Sequence, residues 1–501
     1  MKLIVAIAVF MSFWSATVAQ SNSSEKKSTP AKTVNTTNGY EIKVTLQPYK
    51  NCWMYLGSYY GKNKILADSA WFNEKSEATF KGENKLPGGI YFFVSPSHSL
   101  LFEILMDEGQ HFTVKADSAH LENLSITGSQ ENTLFGQYTQ FLTKVAPQLN
   151  ALQEQLKTSA HTTADSSNIQ SQIVKLNKEL NDYRQKLIDE NPGSMVATFF
   201  QAVKVPELKT WPRKSDGKID SVAAWRYMKE HFWDNVSFYD NRLIRTPFFD
   251  PKIDDYYKYY VSQEPDSIIQ EVNYMLLSAR TGKDIFHFLL GKFTDKYINP
   301  EIMGQDKVFL FLFNNYFSKG DTLWLNEKQR KYIFDRAYSL IANQINEPAP
   351  QLILKDTTGK QTSLYEVKAP FTFVVFWDPT CSHCKEEVPR LDSIYEAKWK
   401  ALGVAVFAVN TNESTFNDWK QFITEHHLNG WYHAWQTKEE RQAEESAGQP
   451  NYRQLYDVFQ TPTMYLLDAD KHIIAKKLSI EQYDEVINAK LKSKTKDSTK
   501  N

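Results

Sequence analysis

The stretch FTFVVFWDPTCSHCKEEVP, residues 371 to 389, constrains fold and chemistry together. Its first seven residues are a run of the kind that fills a buried strand, and the polar, proline-marked turn after them leads into a segment that reads as a helix over residues 381 to 401. Further on, VAVFAVN is a second buried strand, MYLLDADKHIIAKKL gives two strands about a tight polar turn, and a last helix starts at Glu481. Strand, helix, strand, helix, hairpin and helix make an α/β domain over residues 348–493, with a polar tail at 494–501.

The chain before the proline-punctuated join NEPAPQ has a different character. In YEIKVTLQ, Tyr40, Ile42, Val44 and Leu46 alternate with polar residues, the period-two pattern of a half-buried strand. IYFFV, LFEILM and HFTV continue in the same style, so residues 40–128 read as a small antiparallel β domain. From 129 to 347, stretches such as QSQIVKLNKELNDYRQKLI and SIIQEVNYMLLSA carry apolar residues at three and four spacing, and NPGSMVATFF places Pro and Ser before its apolar run as a helix start does. This middle region is mostly α-helical. Its many tyrosines are packing surface, and no chemistry is assigned to them.

Lysine and arginine number 58 against 59 aspartate and glutamate, so no global field recruits nucleic acid. The start, MKLIVAIAVFMSFWSATVAQ, has a positive Lys2, a short apolar stretch and a small-residue end, the layout of a signal peptide over residues 1–19. The apolar stretch is well short of the ~20 residues of a spanning helix, so stable membrane insertion after cleavage is not expected. The first cysteine is Cys52, which leaves a cysteine-lipidated N-terminus unsupported. A polar leader, 20–39, follows. The mature protein is expected in the periplasm, where a cysteine pair can cycle between thiol and disulfide.

Cys381 and Cys384 are two of the three cysteines in 501 residues. Such a pair serves as half a zinc site, a staple or a redox couple. Zinc needs two more ligands, and the spacing of His426, His427 and His433 fits no common structural pattern. A staple around a two-residue loop would restrain the unfolded chain very little. The redox reading fits better. Cys381, at a helix start, lies where free amides and the helix dipole stabilise a thiolate, and so is the attacking sulfur. Cys384, one turn further in, is the resolving sulfur. The redox-active disulfide Cys381/Cys384 needs no cofactor, and no metal is expected. Cys52, by contrast, reads as a small buried apolar residue.

FVVFWDPTCSHCKEEVPRLDSIY together with YDVFQTPTMYLLDADKHII resembles the TlpA-like and ResA-like thiol-disulfide oxidoreductases of the thioredoxin superfamily, over roughly the last 150 residues. The resemblance implies a thioredoxin-like fold and a cis peptide before Pro462. It also implies that Trp377, Thr461 and Pro462 contribute to the substrate surface. Val375 stands where thioredoxin has a buried Asp, and the resemblance moves its proton-handling role to Glu387, three residues after Cys384 and on the same helix face. Ser382-His383 replaces Gly-Pro, and a partly charged His383 imidazole would favour the thiolate and a more oxidising couple. The implied partners are client proteins with cysteines or disulfides and an upstream thiol-redox partner. The regions before 348 look like domains of unknown function that precede TlpA-like domains in exported proteins of Bacteroidetes-type bacteria.

Two other functions compete with disulfide exchange as reductase or isomerase. A thiol peroxidase of this fold has Thr or Ser three residues before the reactive cysteine, where this chain has Asp378. An envelope binding or assembly protein would make the last domain accessory, and nothing in the sequence opposes that.

Overall fold

A computed structural model describes residues 39–158 and 163–498. The expected signal peptide and the leader up to residue 38 lie outside the described residues. The chain forms two compact units, residues 1–261 with 277–288, and residues 262–276 with 289–501. The join expected at 347/348 therefore lies inside the second unit.

The first unit opens with eight strands: β1 (Tyr40–Gln47), β2 (Cys52–Tyr60), β3 (Asn63–Phe72), β4 (Glu77–Gly82), β5 (Gly89–Val94), β6 (Leu100–Met106), β7 (His111–Asp117) and β8 (Ser125–Thr127). They form two four-stranded sheets, ordered β4-β1-β7-β8 and β3-β2-β5-β6. The alternation in β1 buries Tyr40, Ile42, Val44 and Leu46 in a core shared with Phe72, Phe80 and Phe93. Antiparallel pairing predominates, but β1 and β7 run parallel. Period two fixes which side chains are buried and says nothing of a neighbour's direction. Cys52, at the start of β2, is partly rather than fully buried.

The middle region is helical as expected: α1 (Gln130–Thr158), α2 (Thr163–Glu190), α3 (Met195–Val203), α4 (Ser221–Glu230), α5 (Phe249–Tyr259), α6 (Pro265–Ser278), α7 (Lys283–Tyr297), α8 (Asp306–Asn315) and α9 (Glu327–Ile341). Ser194 caps α3, its side chain accepting from the Ala197 amide at 3.0 Å. A reciprocal capping box between Asn326 and Gln329 starts α9.

The C-terminal domain follows as β9 (Ile353–Lys355), β10 (Gln361–Ser363), β11 (Phe371–Trp377), α10 (Ser382–Ile394), β12 (Val404–Asn410), α11 (Phe416–Glu425), β13 (Tyr432–Trp435), α12 (Lys438–Ser446), α13 (Tyr452–Leu455), β14 (Thr463–Asp468), β15 (Ile473–Lys476) and α14 (Ile480–Ser498). Its sheet is ordered β10-β9-β13-β12-β11-β14-β15, with β11 parallel to β12 and antiparallel to β14. All seven residues of β11 are buried because helices cover both faces. Phe373, Val375 and Trp377 enter the core that contains Val388 and Leu391 of α10, while Val374 and Phe376 enter the opposite core with Tyr452 and Tyr456. The expected helix over 381–401 is α10 followed by a wider π-helical turn at Tyr395–Trp399. The last helix takes in most of the expected tail. The NEPAPQ join lies along β15: the Asn346 amide donates to the Ile473 carbonyl at 2.8 Å and the Ala349 amide to that of Lys471 at 2.9 Å.

Candidate active site

The buried strand β11 ends at Trp377, and a three-residue turn delivers the chain to α10. Asp378 holds this turn. One carboxylate oxygen accepts from the Thr380 amide at 2.8 Å and hydroxyl at 2.7 Å, and the other from the Asn412 side chain at 2.9 Å. Cys381 is the N-cap residue of α10, its own amide donating to the Asp378 carbonyl at 3.1 Å. The Sγ of Cys381 therefore stands at the end of the helix where amides lack intrahelical partners. Across from it the Thr461–Pro462 peptide is cis, and the Cys381 thiol donates to the Thr461 carbonyl at 3.5 Å. Cys384 is fully buried, and the Asp378 amide donates to its sulfur at 3.5 Å. Both are free thiols here.

This placement makes the two thiols unequal. Partial burial works to raise Cys381, but the Thr461 side chain and the backbone of Cys384 and His383 outweigh it, and the thiol titrates below its ordinary value. Burial pushes Cys384 up to about 12. The partly buried Cys381 sulfur gives up its proton more readily than the fully buried Cys384 sulfur.

The other candidate residues are placed less uniformly. His383 is exposed on the first turn of α10, and Thr461 and Pro462 are partly exposed beside Cys381. Glu387 is partly buried and ion-paired with Arg390, which also meets Glu481 at 2.6 Å. Neither sulfur is hydrogen-bonded to it. Trp377 does not line the substrate surface. It is fully buried with its ring against Phe422 at 5.0 Å, because strand alternation points residue 377 into the same core as Phe373 and Val375. Sequence reasoning missed the structural part of Asp378 and Asn412. The D-P-T spacing carried a signal, since Asp commonly bonds the backbone two residues on. Among the described residues no group of three or more His, Cys, Asp or Glu is placed to hold a metal ion. Nor is any described helix long and apolar enough to cross a membrane.

A cysteine pair at the first turn of a helix, fed by a central strand and facing a cis-proline loop, defines the C-terminal domain as thioredoxin-like. Residues 345–476 match the AhpC/TSA family, and residues 155–334 match a domain of unknown function, DUF5106. The chain is similar to the thiol-disulfide oxidoreductase ResA of Bacillus subtilis, with 39% identity over 66 residues, 13% of this chain and 36% of that protein. A ResA from Bacillus thuringiensis subsp. konkukian is 27% identical over 152 residues, 30% of this chain and 79% of that protein. Among solved structures, a thioredoxin-like protein from Bacteroides caccae is similar at 20% identity and a TM-score of 0.42, covering 57% of this chain and 99% of that one. The thioredoxin domain of a Bacteroides vulgatus thiol-disulfide oxidoreductase is 27% identical with a TM-score of 0.25, covering 30% of this chain and 96% of that one. The C-terminal domain thus has a thioredoxin-like fold and is similar in sequence to proteins named thiol-disulfide oxidoreductases.

Proposed function

We propose that the protein is an exported thiol-disulfide oxidoreductase that reduces or rearranges disulfides in client proteins through Cys381 and Cys384. The observation that carries this reading is the inequality of the two thiols, with Cys381 lowered at the helix start beside Pro462 and Cys384 buried and raised. The Cys381 thiolate attacks a client disulfide. Its S–S bond breaks, one client sulfur leaves as a thiolate that takes a proton from solvent, and the other is held in a mixed disulfide. Cys384 then loses its proton and attacks Cys381 Sγ, which closes the Cys381–Cys384 disulfide and releases the second client thiol. Two electrons pass to the client, and an upstream dithiol partner restores the pair. Glu387, three residues after Cys384 on the same face of α10 and held by Arg390, is the proton acceptor in this reading.

The test is insulin reduction by the purified full chain with a dithiol reductant. Cys381→Ser should abolish turnover and Cys384→Ser should accumulate mixed disulfides, while Glu387→Gln should slow exchange near neutral pH and Glu386→Gln should not. Turnover that survives in Cys381→Ser would sink the proposal and favour a binding protein with an accessory redox domain.

A further inference from the structure

We propose that α9, which lies outside the segment matched to the AhpC/TSA family, builds one wall of a client groove that takes an uncharged, apolar segment flanking the client's reactive cysteine. This rests on the disulfide-exchange reading. A cavity of about 700 Å³ is lined by Pro462, which follows the residue whose carbonyl the Cys381 thiol meets, by Tyr332 of α9 and by Asn299. That volume is of the size that encloses a small ligand or a few side chains. The Tyr332 hydroxyl accepts from the Asn299 side chain at 2.8 Å, which ties the ring to its neighbour in the lining. Phe459, three residues before Pro462 and 75% exposed, also lines it. An aromatic ring left in water three residues from the cis-proline is a surface suited to an apolar partner.

The charges of the groove specify the occupant further. Arg336 of α9 and Lys477 both pair with Asp457, whose side chain is fully buried. Asp335 pairs with Lys331 at 2.6 Å, and Glu387 pairs with Arg390. Every charged side chain lining the cavity thus has an opposite partner within the protein. An incoming charge would have to be desolvated and compete with ion pairs already in place, whereas an apolar side chain gains from covering Phe459. The same ion pair gives α9 a hold on the active-site loop. Arg336 grips Asp457 and sits over the Phe459 ring at 5.9 Å, so the helix positions the loop that carries Thr461 and Pro462.

Two glutathionylated peptides test this on the full-length protein, one with Leu and Phe and the other with Asp and Glu beside the modified cysteine. Wild type should favour the apolar peptide about tenfold in kcat/KM, the discrimination a single apolar contact affords. Phe459→Ala and Tyr332→Ala, both at exposed rings, should bring the ratio close to one. Equal rates in wild type, or a ratio preserved in both variants, would overturn the groove. Fluorescence anisotropy with the same peptides carrying Ser for Cys separates binding from chemistry. A protein that exchanges no disulfide yet keeps the apolar preference would refute the oxidoreductase reading and leave the groove standing, whereas equal binding of both peptides would refute the groove.

Discussion

At Cys381 burial and hydrogen bonding oppose one another, and hydrogen bonding wins because the sulfur is at the helix mouth rather than inside it. A depressed thiol pKa means that thiolate is present at lower pH, so reactivity climbs earlier on the pH axis than for an ordinary cysteine near 9.0. Alkylation of Cys384→Ser with iodoacetamide should accordingly show a midpoint below that value. Cys384, measured in Cys381→Ser, should stay unreactive until strongly alkaline pH. A shared midpoint would contradict the asymmetry on which the mechanism depends. The same profile examines His383. Its ring is exposed, and its backbone acts on the sulfur, so His383→Ala, which keeps the amide, should leave the midpoint nearly in place. A rise to the ordinary thiol value would return the tuning role to the imidazole.

On the scale of elements, β11 and α10 act as a single support for the cysteines, and Trp377 is its innermost anchor. A fully buried Trp contributes packing on all sides, so Trp377→Ala should cost roughly 3–5 kcal/mol, read from the denaturant midpoint. The milder Trp377→Phe should lower stability while leaving the KM for a protein client unchanged. A raised KM with unaltered stability would restore Trp377 to the substrate surface. Strands β11 and β12 were legible to the residue, because continuous apolar runs between polar turns have one reading at that length. The three-residue strands β9 and β10 and the four-residue β13 were not, since a stretch that short carries no period. The cysteine pair and Pro462 were equally visible, as chemistry confined to a few adjacent residues is. Trp377 was misassigned because proximity to the motif in sequence says nothing of which face of a strand a side chain takes. Nor could any local pattern announce that Arg336 reaches Asp457, a contact across 121 residues.

The second unit as a whole depends on residues well before its redox motif. Lys476, at the end of β15, is buried with Asp306 of α8: its Nζ donates to Asp306 Oδ2 at 2.6 Å and to the carbonyl and side-chain oxygens of Asn343 at 2.8 and 3.1 Å. Burial lowers the lysine below its usual range even though Asp306 works to raise it. Two charges withdrawn from water add little net stability as a pair, but leaving one behind is expensive. Asp306→Ala should therefore cost about 3–5 kcal/mol in the full-length protein, because it leaves the buried Lys476 ammonium with the Asn343 oxygens but no counter-charge. Asp306→Leu combined with Lys476→Met should cost much less than either change alone, because no uncompensated charge is left buried. Denaturant unfolding of the four proteins in the cycle measures the coupling. If the two losses simply add, α8 and β15 are independent, and the segment from 289 onward is a neighbour of the thioredoxin-like domain rather than part of its support. If the double substitution recovers stability, a fragment cut at the start of the matched family segment would leave Lys476 without its carboxylate, and the redox domain would be weaker alone than in the intact chain.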